Sequence, residues 1–332
     1  MTKHSENIGP ARQRIPGLTD DSRGIALIMV LWVLAVLMVI VLSFSYLSRT
    51  ESLAAVAFRQ GVEKKFLAEA GIERAVMEII YRRMNPNVQT DVEGVTTWRV
   101  DGAPYTVTTG GDHYTVAITD ESGKINLNTL NDTSVIILKN LLINMGVEGT
   151  QADTIADSVL DWKDPDDLVR LNGAESDYYM ALPNPYKAKN ANFDTLEELL
   201  LVKGMTPEIL YGDGTKKGII DFLTVNANSA QINVDTAPKE VLMAIPGMTA
   251  DVVAAIMDAR ENPVDYATAM QGLTAVVQAS FNQFITHGMT GNVFSIESSG
   301  FKGDAKGGYT IKATVTIEGD NTFKYKYYKS PA

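Results

Sequence analysis

No charge falls between Arg23 and Arg49, and residues 25–48, IALIMVLWVLAVLMVIVLSFSYLS, are apolar almost throughout. An apolar run of about twenty residues is enough to cross the ~30 Å hydrocarbon core as a helix. No second run of that length follows, which predicts a single-pass protein. The 24 residues before the run are polar and include Lys3, Arg12, Arg14 and Arg23, a bias that favours a cytoplasmic N-terminus. Arg49, Arg59, Lys64 and Lys65, on the far side, weaken that bias.

The boundary is abrupt, with Gly24 immediately before Ile25. A secretory signal ends its apolar stretch at a small-residue cleavage site. Here the small residue comes first, so cleavage after Gly24 leaves the apolar helix on the mature chain as its new N-terminus. This arrangement resembles the type III signal of type IV pilins and pseudopilins, which implies cutting between Gly24 and Ile25 by a prepilin peptidase. Those proteins usually carry Glu as the fifth mature residue; here the fifth residue is Met29. Absence of that Glu characterises one minor pseudopilin family, the K component of type II secretion systems. The simpler alternative is a plain signal anchor with an incidental glycine.

With 332 residues the chain has room for two domains beyond a membrane helix. It has no Cys, which excludes disulfides, thiol nucleophiles and Cys-ligated metals. His4, His113 and His287 lie far apart, which argues against a His-rich metal site. Net charge is −11, and −12 once a leader with four basic and three acidic residues is removed. Residues 126–289 hold 22 acidic and 10 basic side chains, so the excess negative charge sits in the middle of the chain.

Helical spacing continues past the apolar run to Met84, where Pro86 stops it. Leu53, Val56, Leu67, Ala70, Val76, Ile79 and Ile80 are expected to form its apolar stripe. A helix from Ile25 to Met84 would span ~90 Å, and Gly61 and Gly71 permit local bending. Short strands are then expected in TTWRVDG and YTVTT, with a turn at Asp101 and Gly102, and in HYTVAITD after a turn at Gly110-Gly111-Asp112. A second β block, VFSIESSGF, YTIKATVTIEG and TFKYKYYK, closes the chain. Neither block makes a comfortable sheet alone. Together with the N-terminal helix they predict an α+β fold: a pilin-like long helix packed on one antiparallel sheet of about five strands. The stretch between them reads as a large inserted all-α domain. The expected division is 1–24 leader, 25–48 membrane or fibre-core helix, 49–125 first part of the pilin-like domain, 126–289 insertion and 290–332 closing strands. Helices are expected within the insertion at 132–145, 150–162, 194–202, 207–211, 216–222, 238–245, 249–260 and 272–286. The loop 163–193 interrupts them, with Tyr178, Tyr179 and Tyr186 as packing anchors.

Two inserted segments repeat a helix-hairpin-helix-like pattern. One runs through Val202-Lys203-Gly204-Met205-Thr206, the other through Ile245-Pro246-Gly247-Met248-Thr249. Gly204 and Gly247 are placed for the positive φ or close approach that such a hairpin needs. In DNA-binding proteins the motif offers backbone amides and basic side chains to phosphates. Lys203 is the only basic residue in the first hairpin and the second has none. A compact structural role is therefore expected, with no nucleic-acid partner.

The densest charge lies between Asp153 and Asp177, with eight acidic residues and two basic ones. Asp157 and Asp161 share a helix face. Asp164, Asp166 and Asp167 follow in a proline-containing loop, then Glu175 and Asp177 after Gly173. Carboxylates this close are solvated, paired or bridged by a cation. Ca²⁺ tolerates the irregular all-oxygen geometry of such a loop, but the spacing is not that of an EF-hand. No G-x-S-x-G elbow, P-loop or HExxH is present, so enzyme chemistry is not expected. Asp120 and Glu121 are expected to cap the turn at Gly123, and Asn126 and Asn128 to make junction hydrogen bonds.

The prepilin-like leader, Met29, DESGKINLNTL, the DW-acidic-GAE-YY run, LEELLLVKGM, INVDTAPKEVL and the terminal strands together resemble the K family of type II secretion minor pseudopilins. The resemblance covers most of the chain. It implies a protein of the Gram-negative inner membrane with a periplasmic C-terminal domain. The implied partners are the I and J pseudopilins, the pseudopilus with its inner-membrane assembly platform, and prepilin peptidase. The implied role is a tip complex that starts pseudopilus assembly and supports export of folded proteins across the outer membrane. Met29 then avoids an unpaired carboxylate at the fibre end. The resemblance also implies Ca²⁺ in the helical domain, with Asp161, Asp164, Asp166 and Glu175 as preferred ligands and Asp157, Asp167 and Asp177 as further ones. Two other classes compete: a membrane-tethered DNA-binding helix-hairpin-helix protein, which needs a basic face, and a periplasmic hydrolase, which needs a paired nucleophile or base.

Overall fold

The computed structural model describes residues 21–85, 97–261, 283–288, 291–303 and 306–332. Compactness divides the chain into residues 1–60 and 61–332. One continuous helix, α1 (Asp21–Met84), runs through the boundary. In the first unit its large apolar side chains are all exposed, Trp32 and Phe44 by 71% each. A helix that is apolar on every side needs an apolar surrounding. Among the described residues it is the one helix long and apolar enough to cross a membrane.

In the second unit α1 becomes amphipathic. Ala68, Ile72, Ala75, Val76 and Ile79 are buried to 2% exposure or less and face a five-stranded sheet. Leu67 and Ile80 flank this stripe. Leu53 and Val56 are more than half exposed and Ala70 is exposed, so the expected stripe is corrected towards smaller residues. Leu53 and Val56 belong to the first unit, and in the second the contact is tight. A Cβ on Gly71 would overlap Ser298 Oγ, and one on Gly300 would overlap the carbonyl oxygen of Lys64. Helix and sheet approach so closely that the contact needs glycine and alanine. Gly71 serves this approach and not a bend, since α1 continues through it.

The sheet runs β1 (Asp101–Thr109), β2 (Asp112–Asp120), β7 (Val293–Phe301), β8 (Tyr309–Ile317), β9 (Phe323–Lys329), all neighbours antiparallel. The joining pair is β2 with β7, in register from His113↔Phe301 to Asp120↔Phe294. Gly110 and Gly111, both at positive φ, make the β1–β2 hairpin turn. The expected turn at Asp101-Gly102 is instead the start of β1, bent by a bulge between Asp101 and Pro104 with Gly102 at φ 87°. Residues 97–99 are not strand. Trp98 stacks on Tyr105 at 5.4 Å, lies under the Arg74 guanidinium at 5.2 Å and donates its backbone N–H to Glu78 at 3.4 Å. Side-chain anchoring to α1 replaces ladder pairing there.

Between β2 and β7 a second core forms, with buried members from Ile125 to Ile285. Its helices are α2 (Val135–Asn144), α3 (Gly149–Lys163), α4 (Ser176–Met180), α5 (Pro207–Tyr211), α6 (Lys239–Ala244) and α7 (Ala250–Glu261). Two of the expected helices are 3-10 turns, Leu196–Leu201 and Ile220–Phe222. In the first, a Thr195–Glu198 capping box starts a run too short to go on as α-helix. The loop 163–193 contains α4. Two-residue parallel pairs stitch distant segments: β3 (Ile125–Asn126) with β4 (Leu223–Thr224), and β5 (Ile232–Asn233) with β6 (Ile285–Thr286). The helix expected at 272–286 is therefore corrected at its end, where β6 pairs with β5; residues 272–282 lie outside the described ones. Trp162 meets Tyr179 edge-on at 5.3 Å, and Tyr179, fully buried, stacks on Tyr186 at 5.2 Å.

The close approach at Gly71 sets a sharp test. Gly71→Val forces helix and sheet apart and is expected to cost about 1–3 kcal/mol, read as a lowered melting temperature. Gly61, whose added Cβ meets nothing within 4 Å, is the control. Gly61→Ala is expected to leave stability unchanged or raise it by up to ~1 kcal/mol. Equal effects at the two positions would remove the steric argument.

Candidate functional site

The acidic residues converge where α3 ends. Glu148 caps the start of α3, accepting from the backbone N–H of Thr150 and Gln151 at 3.0 and 3.2 Å. One turn apart on the inner face, Asp157 and Asp161 point at the loop that returns from residue 164 to α4. Asp157 accepts two hydrogen bonds from Asn172, backbone and side chain, each at 3.0 Å. Asp161 is fully buried. It accepts from Arg170 twice, from Nη1 at 2.7 Å and from the backbone N–H at 3.2 Å. Arg170 also reaches Asp164 at 2.5 Å and Asp132 at 3.1 Å. Gly173 must be glycine here, because a Cβ would overlap Asp161 Oδ2.

Burial works against the charge on Arg170, but hydrogen bonds to Asp164, Asp161 and Asp132 outweigh it and raise its pKa. Burial raises the pKa of Asp161, with the Arg170 hydrogen bonds opposing. Glu175 stands out. It is 5% exposed, and neither carboxylate oxygen has a hydrogen-bond partner. Burial, then the fields of Asp161, Asp164, Asp167 and Asp166, push its pKa up to about 7. Asp164 Oδ1 is also buried without a partner.

The structure thus brings Asp161 and Asp164 together on Arg170 and sets Glu175 in their field. Asp166 accepts from the Leu168 N–H at 2.9 Å, Asp167 from the Asn190 side chain at 3.3 Å, and Asp177 is exposed in the first turn of α4. Among the described residues no three acidic or histidine side chains already stand as a metal-binding group. What the site offers a hard cation is the unpartnered oxygens of Glu175 and Asp164. Sequence reasoning missed Arg170, Asp132 and Asn172. The signal for Arg170 was present, as it is one of only two basic residues among eight acids; Asp132 arrives from another helix boundary and carried none.

Both hairpin glycines have positive φ, 86° at Gly204 and 87° at Gly247. The first hairpin packs inward: a Cβ on Gly204 would press on Ile155 at 3.1 Å, and the Gly204 carbonyl accepts from Gln151 at 2.9 Å. Lys203 donates to the carbonyls of Gly173 and Asn172 at 2.9 and 3.3 Å and lies 5.0 Å over the Tyr178 ring. Arg260, at the end of α7, donates to the carbonyls of Val234 and Ala237. Lys203 and Arg260 thus close loops, with their charged ends engaged on backbone carbonyls.

At the junction Asp120 accepts from the Ser122 N–H at 2.9 Å and from Asn233 at 3.2 Å, as an N-cap. Asn126 donates to the Ala227 carbonyl at 2.6 Å, and Asn128 bridges Phe193 and Val225. Gly24 and Ile25 both lie within α1; Ile25 and Met29 are 55% and 64% exposed.

Glu175 makes the site sensitive to pH in chelating buffer. The unfolded chain ionises this carboxyl near 4.5, whereas the folded chain holds the proton to about 7. Its contribution to stability is therefore full below pH 4.5 and is lost as pH rises to about 7. Urea titrations across that window are expected to show a decline that Glu175→Gln flattens. An unchanged slope in the variant would rule Glu175 out as its source.

Residues 123–211 match the family described as type II secretion system (T2SS), protein K. That segment holds the whole acidic cluster and the first hairpin. The type II secretion system protein K of Klebsiella pneumoniae is 28% identical over 282 residues, 81% of this chain and 80% of that protein. The protein of the same name from Pectobacterium carotovorum subsp. carotovorum is 28% identical over 204 residues, 58% of this chain and 61% of that one. Among solved structures, a chain from the GspK-GspI-GspJ complex of the enterotoxigenic Escherichia coli type 2 secretion system superposes with a TM-score of 0.56 at 15% identity. The match covers 85% of this chain and 99% of that one, and at this identity it speaks to the fold.

Proposed function

We propose that this chain, which belongs to the type II secretion system protein K family, is the minor pseudopilin that joins I and J subunits at the pseudopilus tip and starts its assembly. The observation that carries the reading is the coincidence of three features in one chain. They are the membrane-length apolar stretch of α1, the α1-on-sheet core of residues 68–118 and 294–317, and the K-type segment 123–211 inserted in that sheet. The solved neighbour belongs to a complex of K, I and J proteins, which supports I and J as the partners here. The role is one of assembly and not of catalysis. The inward-turned Lys203 and Arg260 argue against the membrane-tethered DNA-binding alternative, since phosphate binding depends on presented positive charge.

The α1 helix anchors the chain in the membrane as a single pass. We place the leader in the cytoplasm and the rest beyond the inner membrane, on the strength of the four basic leader residues. Within the division into 1–24, 25–48, 49–125, 126–289 and 290–332, the separation of the insertion from the two flanking parts has the support of two buried clusters, one of residues 125–285 and one of residues 68–118 and 294–317. Met29, exposed on an apolar helix, leaves no carboxylate to be stranded where a fibre ends. Co-expression with prepilin peptidase and with the I and J subunits is the direct test. Mass spectrometry is expected to find a new N-terminus at Ile25, and affinity purification to retain I and J. An intact leader, or a chain that purifies alone, contradicts the reading.

The acidic cluster is, in the same reading, a Ca²⁺ site. Glu175, Asp164, Asp161 and Asp166 would hold the ion, with Asp157, Asp167 and Asp177 further out. The oxygen-only donors and the orphaned Glu175 and Asp164 atoms fit a hard cation. Bound Ca²⁺ would neutralise the Glu175 carboxylate and take the place of Arg170 on Asp161 and Asp164. Calcium at about 100 times its dissociation constant adds ~2.7 kcal/mol, so thermal melts in excess Ca²⁺ are expected to lie above those in EGTA. Glu175→Gln is expected to shrink that gap. Coincident melts for the wild-type chain would dismiss the ion.

A further inference from the structure

Three large apolar side chains stand out from the loop between α3 and α4. Leu168, Val169 and Leu171 are 76%, 61% and 97% exposed. Single exposed apolar residues are ordinary, but three within four positions form a patch. The loop is also held so that they stay out. Arg170, between them, is drawn inward by Asp161, Asp164 and Asp132, and its backbone N–H is bound by Asp161. Asn172 is fastened to Asp157 by two hydrogen bonds, and the Leu168 N–H to Asp166. From Val169 to Asn172 outward and inward residues alternate, and both inward ones are fastened. The apolar side chains cannot turn in without breaking this network.

Charge around the patch selects what fits it. Asp166 and Asp167 precede Leu168 and are exposed, and Asp132 is 81% exposed beside Arg170. Arg170, the loop's own cation, is engaged with three carboxylates. An apolar knob with an acidic collar is disfavoured at an anionic lipid surface and against a like-charged protein face. It complements an apolar socket edged with Lys or Arg. We propose that the 168–171 loop is a docking knob for a protein partner that presents such a socket, with Leu171 as the central anchor. The inference goes beyond the pseudopilin reading, and its test does not depend on fibre assembly.

Because the chain has no Cys, an environment-sensitive fluorophore on Leu171→Cys reports this loop alone, in the full chain held in phosphatidylcholine nanodiscs with EGTA, which keeps Asp166 and Asp167 free of any cation and in the pairing seen here. Two synthetic helical peptides with the same leucine face serve as probes, one edged with lysine and one with glutamate. A blue shift is expected with the lysine-edged peptide only. Unlabelled L168S/V169S/L171S, which keeps every charge, is expected to bind that peptide at least about tenfold more weakly by anisotropy, at an unchanged melting temperature. Equal affinity of the triple variant would reduce the effect to diffuse charge attraction and overturn the proposal. So would failure of the unaltered chain to bind the lysine-edged peptide. A blue shift with the glutamate-edged peptide, with added phosphatidylglycerol vesicles, or on raising the concentration of the chain itself would overturn it in favour of another occupant.

Discussion

The pairing of β2 with β7 is the constraint on which the rest of the second unit depends. Eight residue pairs, from His113↔Phe301 to Asp120↔Phe294, join strands separated by the entire helical body. Only with that ladder closed does the sheet reach five strands and offer α1 a continuous apolar face. The ladder also fixes where the helical body begins and ends, at the neighbouring ends of two inner strands. The junction is polished accordingly: Asp120 caps the exit turn and holds Asn233, and Gly291 leaves room for the Asp120 carboxylate. Closing so long a loop costs little more entropy than closing a shorter one, because the cost grows only logarithmically.

Inside the helical body a different economy holds. Buried Asp161 and half-buried Arg170 form an ion pair, extended by Asp164 and Asp132. Such networks seldom add net stability over an apolar packing, since desolvation offsets the attraction. Their strength is geometric. A planar guanidinium between three carboxylates and a backbone N–H docked on the same carboxylate determine the path of the loop residue by residue. Gly173 and Lys203 complete that fixing, one by vacancy of its Cβ and the other by reaching two carbonyls.

What could be read from the sequence follows from what each signal depends on. The apolar run, the five strands and the positive-φ glycines at 204 and 247 are local properties, and they were legible. The acidic cluster was legible as composition. Its internal pairing was not, because Asp132 and Arg170 lie 38 residues apart and meet only in the folded chain. The apolar stripe of α1 was misplaced because hydrophobicity marks Leu53 and Val56, which belong to the first unit, whereas the sheet-packed stretch begins near Leu67 and its tightest contacts take Ala68, Gly71 and Ala75. The 3-10 turns and the two-residue parallel pairs escaped for a related reason. Segments so short carry no periodicity of their own and take their form from the core around them. Trp98 shows the reverse error: a β-prone run that stays out of the ladder because Glu78, Arg74 and Tyr105 hold it.

The adjacency of Asp120 and Phe294 carries a consequence for engineering. Residues paired across an antiparallel ladder have Cα atoms only about 5 Å apart, so the two cut ends left by removing the helical body could be rejoined by a hairpin turn of a few residues. The remaining strands would keep their order and their apolar face. The helical body is thus placed as a cassette between adjacent strand ends, and the same doorway would accept a cargo of another kind.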